Sequence, residues 1–297
     1  MVITGPGSND MTDNHASPAL GPIGVFDSGV GGLSVWRELA QRLPRESLLY
    51  LADQAHVPYG ARPTAQVAQL THAAVAWLIG QGAKMVVVAC NTATAAALPS
   101  LRQQWPQIPI VGMEPAVKPA CQQTKTGHVG VLATPGTLRA SRFTSLVERF
   151  ANGVQVYTLM GSGLVEMVEN NQLTGPEVEA RCRQIFAPVQ TIAIDTLVLG
   201  CTHFPFLRKT LQNILGDTVL LIDPAPAVAR QTGRILHQKK LARPHNMAAN
   251  WQFVTTGPVA PFREALTNLV GDFFTAASPS PQIWHLPPGD VTNATRP

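Results

Sequence analysis

The 297-residue sequence has few charged residues, few aromatic residues and no long uninterrupted apolar run. Only 13% of its residues are charged and 6% are aromatic, although 45% are hydrophobic. No stretch reaches the roughly 18 consecutive apolar residues that a membrane-spanning helix needs, so we expect no membrane contact. The N-terminus lacks the basic and apolar segments of a secretory signal. These features predict a globular protein of the cytoplasm, long enough for two domains.

The charges and the cysteines exclude further kinds of site. The 22 basic and 18 acidic residues give a formal net charge of +4, with no Lys/Arg cluster that would follow a nucleic-acid backbone. The four cysteines lie far apart in apolar stretches, without Cys-x-x-Cys spacing and without a His pair at zinc-site intervals. We therefore predict no metal and no disulfide, and no nucleic acid that the activity would need.

Short β-branched runs alternate with helical patterns between two polar termini, as is typical of β-α-β units around parallel sheets. Residues 1–20 and 278–297 have no periodic apolar face, so we expect a mobile N-terminal extension and a mobile C-terminal tail. The predicted strands lie near residues 23–27, 48–52, 85–90, 108–112, 128–132, 154–159, 195–200, 218–222 and 251–255.

Three landmarks recur in the same order in the two halves of the chain, at offsets of 106, 111 and 109 residues. The matching pairs are 23–29 with 129–136, 86–92 with 196–202, and 111–116 with 221–226. A duplication of this kind predicts two similar flavodoxin-like α/β domains, each with a doubly wound and mainly parallel sheet, related by pseudo-twofold symmetry. Prolines after Glu114 and Asp223 favour an extended backbone at the points where the chain leaves each sheet. The predicted domains are therefore 21–113 plus 223–277, and 114–222.

Cys90 and Cys201 occupy equivalent points of this repeat, each at the end of a predicted strand and before a helix. Parallel sheets bind ligands at the carboxyl ends of their strands. A helix N-terminus at that point stabilises a thiolate, so we expect lowered thiol pKa values. Two thiols that face each other across a cleft suit the removal of a proton from one face of a carbon and its delivery to the other. The alternative is that both are small core residues.

Two polar residues break the symmetry of the repeat. Asp27 has Ala133 as its counterpart, and His203 has Thr92. We expect the carboxylate to serve one thiol and the imidazole to serve the other. The glycine-rich segment 27–32 suits anion binding at a helix N-terminus, but it fits a simple tight turn equally well.

Together these segments resemble the glutamate racemases, of the cofactor-independent aspartate/glutamate racemase family. The resemblance covers roughly residues 22–235 and implies interconversion of L- and D-glutamate without a cofactor, supplying D-glutamate for peptidoglycan synthesis. The motifs that carry it are DSGVGGLSV at 27–35, ADQAHVPYG at 52–60, VVACNTA at 87–93, LGCTHFPFL at 199–207, VGMEPAVKPA and LIDPAPAVA.

The resemblance implies that Cys90 deprotonates D-glutamate and that Cys201 deprotonates L-glutamate, with Asp27 and His203 as assisting catalytic residues. Asp53 and Glu169 resemble further acidic residues near the site. From the residues alone, Asp53 fits a turn cap equally well. The positions that match the family's substrate contacts are Asp27, Ser28, Tyr59, Gly60, Asn91, Thr92, Thr202 and His203.

The polar N-terminal extension and the lack of a Cys-Pro before GSGLVEMVENNQL depart from the simplest members of that family. Extended members need a UDP-linked peptidoglycan precursor, so we hypothesise activation by UDP-N-acetylmuramoyl-L-alanine. Three other interpretations stay open: a racemase of another amino acid such as aspartate, a thiol hydrolase or amidase, and an amino-acid-binding protein with a hinged cleft. The sequence does not distinguish a monomer from a homodimer.

Overall fold

The computed structural model describes residues 18–244, 247–274 and 281–293, which contain two parallel sheets. The strands of the first sheet are Ile23–Asp27 (β1), Leu48–Ala52 (β2), Met85–Val88 (β3), Ile110–Gly112 (β4), Trp251–Thr255 (β9) and Gln282–His285 (β10). Those of the second sheet are His128–Ala133 (β5), Gln155–Met160 (β6), Thr196–Gly200 (β7) and Leu220–Ile222 (β8).

Helices connect the strands. They are Leu33–Arg42 (α1), Thr64–Gly80 (α2), Asn91–Gln104 (α3), Val117–Gln123 (α4), Pro135–Arg139 (α5), Ser141–Phe150 (α6), Leu164–Glu169 (α7), Pro176–Phe186 (α8), Arg208–Leu215 (α9), Ala225–Gln238 (α10), Val259–Val270 (α11) and Pro288–Asn293 (α12). Short 3-10 helices include Gln54–His56 and Tyr59–Ala61. In the part of the chain that the structure describes, every helix is too short or too polar to cross a membrane.

The two sheets repeat one strand order, which confirms the predicted fold class. The second sheet runs β6-β5-β7-β8, and the first contains the equivalent order β2-β1-β3-β4, extended at the β2 edge by β9 and β10. Every strand pair is parallel. The predicted boundaries at 113/114 and 222/223 fall between the strands of the two sheets, and the domain division itself stays a prediction.

All nine predicted strands are present, with ends that differ from the prediction by at most two residues. Most of these strands are rich in apolar residues because both faces of a parallel sheet are covered by helices, whereas β6 has only one buried residue. Strands β1, β2, β3 and β7 are buried along their whole length. The apolar runs therefore predicted these strands, although polar and apolar residues do not alternate along them.

The prediction of a mobile C-terminal tail at 278–297 is wrong for residues 281–293. Gln282–His285 adds a tenth strand beside β9, and Val291 of α12 is buried in the core of the first sheet. The edge of β9 offers unpaired backbone groups, which a short segment satisfies even without an amphipathic pattern. The predicted N-terminal extension lies outside the described residues up to position 17. Residues Pro18–Leu20 form a 3-10 helix whose carbonyls accept hydrogen bonds from Lys84 and Arg243.

Candidate active site

Cys90 and Cys201 line the same narrow cleft, at the carboxyl ends of strands from both sheets. Both thiol residues are nearly buried, with exposures of 5% and 6%. The remaining lining residues are Ser28, Pro58, Tyr59, Gly60, Asn91, Thr92, Thr134, Val165, Thr202 and His203.

Cys90 caps helix α3, but its thiol is not acidified. The backbone N–H of Ala93 donates to Cys90 Sγ at 3.4 Å, as expected for a thiol at a helix N-terminus. Burial, and then the charge of Asp27, nevertheless raise the pKa of the Cys90 thiol to about 12. The expected lowering of this pKa is therefore wrong, because the loss of water outweighs one amide contact.

Asp27 ends β1 and joins the two halves of the chain. Its Oδ1 accepts the backbone N–H of Gly29 at 3.0 Å, and its Oδ2 accepts the hydroxyl of Thr202 at 3.1 Å. Burial raises the pKa of Asp27 to about 6, although the charge of His203 and both hydrogen bonds act in the opposite direction. Asp27 is thus a carboxyl group that titrates close to neutral pH.

His203 bridges the second thiol and a carboxylate. Its Nδ1 lies 3.7 Å from Cys201 Sγ, and its Nε2 lies 2.7 Å from Glu169 Oε1. Burial lowers the pKa of His203, but the hydrogen bonds and charges of Cys201 and Glu169 outweigh it and raise the pKa well above 6.5. The thiol and Glu169, on either side of the ring, therefore favour the protonated form of the imidazole.

The glycine-rich loop makes room for side chains from the other half of the chain. A methyl group at Gly29 would overlap the carboxylate of Glu169, and one at Gly31 would overlap the ring of His203. Neither glycine has a positive φ angle, so a tight turn does not explain them. Glycine is needed at these two positions because a larger residue would prevent the close approach of the two halves of the chain.

A wall of hydroxyl groups lines one side of the cleft, and sequence reasoning missed part of it. Thr92 Oγ1 shares hydrogen bonds with Thr134 Oγ1 at 2.8 Å and Thr137 Oγ1 at 3.2 Å. Thr134 lines the cleft but was not predicted. It lies 106 positions after Ser28, so the repeat contained the signal that would have identified it.

Asn91 leaves one polar atom without a partner. Its Nδ2 donates to the carbonyl of Met113 at 3.5 Å, whereas its Oδ1 is buried and has no hydrogen-bond partner. Buried acceptors are rarely left unpaired in folded proteins. Asn91 is one of the residues that line the cleft.

Asp53 does not line the cleft itself but binds Tyr59, a residue that does. Tyr59 donates its hydroxyl to Asp53 Oδ2 at 2.6 Å, and Thr256 donates to Oδ1 at 2.8 Å. His56 Nδ1 lies 2.9 Å from the same carboxylate. The alternative that Asp53 caps a turn is not supported, because its side chain accepts no capping hydrogen bond. Asp53 therefore fixes Tyr59, and with it the adjacent Gly60.

The other two cysteines lie outside the cleft. Cys182 is fully buried in the hydrophobic core, and Cys121 is half-buried against the core of the second sheet. Among the described residues, no group of three or more His, Cys, Asp or Glu side chains is placed to hold a metal ion.

Comparison with known proteins assigns a family to this arrangement. The Asp/Glu/hydantoin racemase family profile matches residues 23–232. A glutamate racemase of Pseudomonas aeruginosa is 51% identical over 219 residues, which are 74% of this chain and 83% of that protein.

Two solved structures share the fold along nearly their whole length. A glutamate racemase isoform of Bacillus anthracis superimposes with a TM-score of 0.79 and 32% identity, over 90% of this chain and 97% of that one. The Escherichia coli glutamate racemase in complex with L-glutamate and the activator UDP-MurNAc-Ala gives a TM-score of 0.76 and 33% identity. This match covers 89% and 98% of the two chains.

Replacement of Gly31 tests the close approach of the two halves. We expect Gly31→Ala to lower the free energy of unfolding by about 1–3 kcal/mol, because the added methyl displaces His203. Gly80→Ala is the control, since a methyl at that helical position meets no atom within 4 Å. Denaturant unfolding measures both, and equal stability of the two variants would contradict the prediction.

The raised pKa of Asp27 predicts a pH-dependent stability. Below pH 3.8 the buried carboxyl is neutral in both the folded and the unfolded state, and its favourable proton binding is lost as pH rises through about 6. Wild type should therefore lose stability relative to Asp27→Asn between pH 4 and 7, by on the order of 3 kcal/mol. Denaturant unfolding across that range measures the difference, and a pH-independent difference would refute the prediction.

Proposed function

Since the chain belongs to the Asp/Glu/hydantoin racemase family, we propose that it interconverts L- and D-glutamate with Cys90 and Cys201 as its two acid–base residues and without a cofactor. One observation carries the proposal: two thiols at equivalent strand ends of the two sheets line one cleft. The glutamate racemases among its relatives and structural neighbours support glutamate as the substrate.

The proton balance of the reaction needs both thiols. With L-glutamate, Cys201 as thiolate removes the α-proton, and the Cys90 thiol delivers a proton to the opposite face of the carbanion. D-glutamate undergoes the reverse steps. A pKa of about 12 means that Cys90 is protonated in the free cleft, ready to act as the acid toward L-glutamate. Each turnover exchanges the protonation states of the two sulfurs, so product release leaves the site ready for the other enantiomer.

Two unmatched residues assist the two thiols. A positive charge on His203 beside Cys201 Sγ stabilises a thiolate there. Asp27 is the carboxylate that acts electrostatically on Cys90, and a base that titrates near pH 6 suits proton acceptance at neutral pH. The asymmetric residues of the repeat thus give each sulfur its own partner.

The polar lining supplies groups for a zwitterionic amino acid. The free Oδ1 of Asn91 accepts a hydrogen bond from the substrate ammonium. The hydroxyls of Ser28 and Thr92 donate to its carboxylates, and such donors stabilise the negative charge of the carbanion. Tyr59 and its neighbour Gly60 complete the wall. No lysine lines the cleft, so the residues present do not suit a pyridoxal Schiff base.

The product fits a role in cell-wall synthesis. We propose that the protein supplies D-glutamate for peptidoglycan in the cytoplasm, as its resemblance to the glutamate racemases implies. We also propose that UDP-N-acetylmuramoyl-L-alanine activates it, with support from the Escherichia coli neighbour, whose structure contains UDP-MurNAc-Ala as activator.

Removal of either cleft thiol tests the two-base mechanism. We expect Cys90→Ala and Cys201→Ala each to lower the rate of racemisation by about 10²- to 10⁴-fold, the usual contribution of a general acid or base. Cys121→Ala, outside the cleft, should retain the wild-type rate. Polarimetry from each enantiomer, with the activator present, measures all three. Full activity of Cys201→Ala would instead indicate a thiol enzyme with a single nucleophile.

Exchange of the α-proton in D₂O separates the remaining interpretations. A racemase incorporates deuterium at the α-carbon from both enantiomers of glutamate, whereas an amino-acid-binding protein incorporates none. A parallel panel with aspartate identifies a racemase of another amino acid. Absence of exchange from either glutamate enantiomer, with the activator present, would overturn the proposed function.

The activator is tested separately. We expect kcat/KM for L-glutamate to rise at least about 10-fold with saturating UDP-N-acetylmuramoyl-L-alanine, which corresponds to a coupling free energy within the usual range for allosteric effectors. UDP alone is the control and should not reproduce the effect. Equal racemisation rates with and without the precursor would dismiss the proposed activation and leave the two-base mechanism standing.

A further inference from the structure

Glu169 receives hydrogen bonds from both halves of the chain. Its Oε1 lies 2.7 Å from His203 Nε2 and accepts the backbone N–H of Val30 at 2.8 Å. Its Oε2 accepts the side-chain amide of Gln54 at 2.8 Å. The Glu169 side chain is only 11% exposed, so these donors replace most of its contact with water. Gln54 therefore binds the oxygen of Glu169 that His203 does not contact.

The orientation of the Gln54 amide is set by a buried threonine. Gly257 donates its backbone N–H to Thr255 Oγ1 at 3.0 Å, so the hydroxyl hydrogen is free to bond Gln54 Oε1 at 2.8 Å. This bond directs the Gln54 Nε2 toward Glu169. Thr255 is fully buried at the end of β9. A chain of hydrogen bonds thus runs from the first sheet to the imidazole.

Resting on the proposed function, we propose that Gln54 is a positioning residue that holds Glu169, and through it His203, against Cys201. The terminal torsion of a Glu side chain is broad, so a carboxylate bonded at one oxygen alone can turn. With Gln54 bonded to Oε2, Oε1 stays aimed at His203 Nε2, and Nδ1 stays directed at the thiol.

The position of Gln54 makes its effect specific to one thiol. Gln54 does not line the cleft and so has no direct contact with substrate. Its hydrogen bonds lead to the Cys201 side, whereas the charged side chain that acts most strongly on Cys90 is Asp27. In the proposed mechanism Cys201 removes the proton of L-glutamate. Loss of the Gln54 amide should therefore slow proton transfer at one sulfur only.

The test uses Gln54→Met, which keeps the length of the side chain and removes its donor. We expect kcat to fall about 10- to 100-fold, the effect of losing a hydrogen bond to a charged group, with little change in KM. The primary isotope effect on kcat/KM should rise with α-deuterated L-glutamate and not with α-deuterated D-glutamate, because proton transfer at Cys201 becomes the slower of the two. Gln66→Met, exposed on α2, is the matched control and should equal wild type in every measurement.

Thr255→Val and Thr255→Ser provide a second pair of variants that leave Gln54 in place. Valine removes the hydroxyl that orients Gln54 and should reproduce the L-specific isotope effect, whereas serine retains the hydroxyl and should restore wild-type behaviour. Thermal unfolding verifies that each variant is folded at the assay temperature.

The outcomes separate failure of this proposal from failure of the function. A wild-type protein that does not racemise glutamate refutes the proposed function. If wild type racemises glutamate, Gln54 is not a positioning residue when folded Gln54→Met retains wild-type kcat and isotope effects. The same conclusion follows when the isotope effect changes equally for both enantiomers, or rises only for D-glutamate.

Discussion

The ionisable side chains of the cleft are shielded from water, and this burial sets the conditions for all of its chemistry. A charge on Cys90 or Asp27 is costly there, so burial raises both pKa values, to about 12 and about 6. For His203, by contrast, the contacts with Cys201 and Glu169 favour the charged form and raise its pKa. Proton movement at one group therefore changes the cost of charge at its neighbours, which couples the two sides of the cleft.

Much of the fold could be predicted because its signals are local. Apolar strand runs and their repeat identified nine strands, the duplicated architecture and the equivalent positions of both thiols. Strand β10 was missed because four residues with mostly exposed side chains contain no core pattern, and only the edge of β9 gives them a partner. The sequence of that segment cannot show that an open strand edge lies beside it.

The parts of the site that depend on contacts between the two halves of the chain were harder to predict from the sequence. The Cys90 pKa was predicted in the wrong direction, since helix capping is local but desolvation depends on how closely the two halves pack. Gln54 and Glu169 are 115 residues apart in the sequence, and nothing near either residue indicates their contact. Thr134 differs, because the repeat in the sequence places it opposite Ser28, and both residues line the cleft.

The close fit of the glycine loop has a consequence for exchanging parts between relatives. Gly29 and Gly31 form spaces shaped for Glu169 and His203, which belong to the other half of the chain. A hybrid that takes its halves from two different proteins would have to preserve this match across the join. The two sheets share one strand order, but the loop of the first half must match the side chains of the second half. The two halves therefore cannot be exchanged independently of each other.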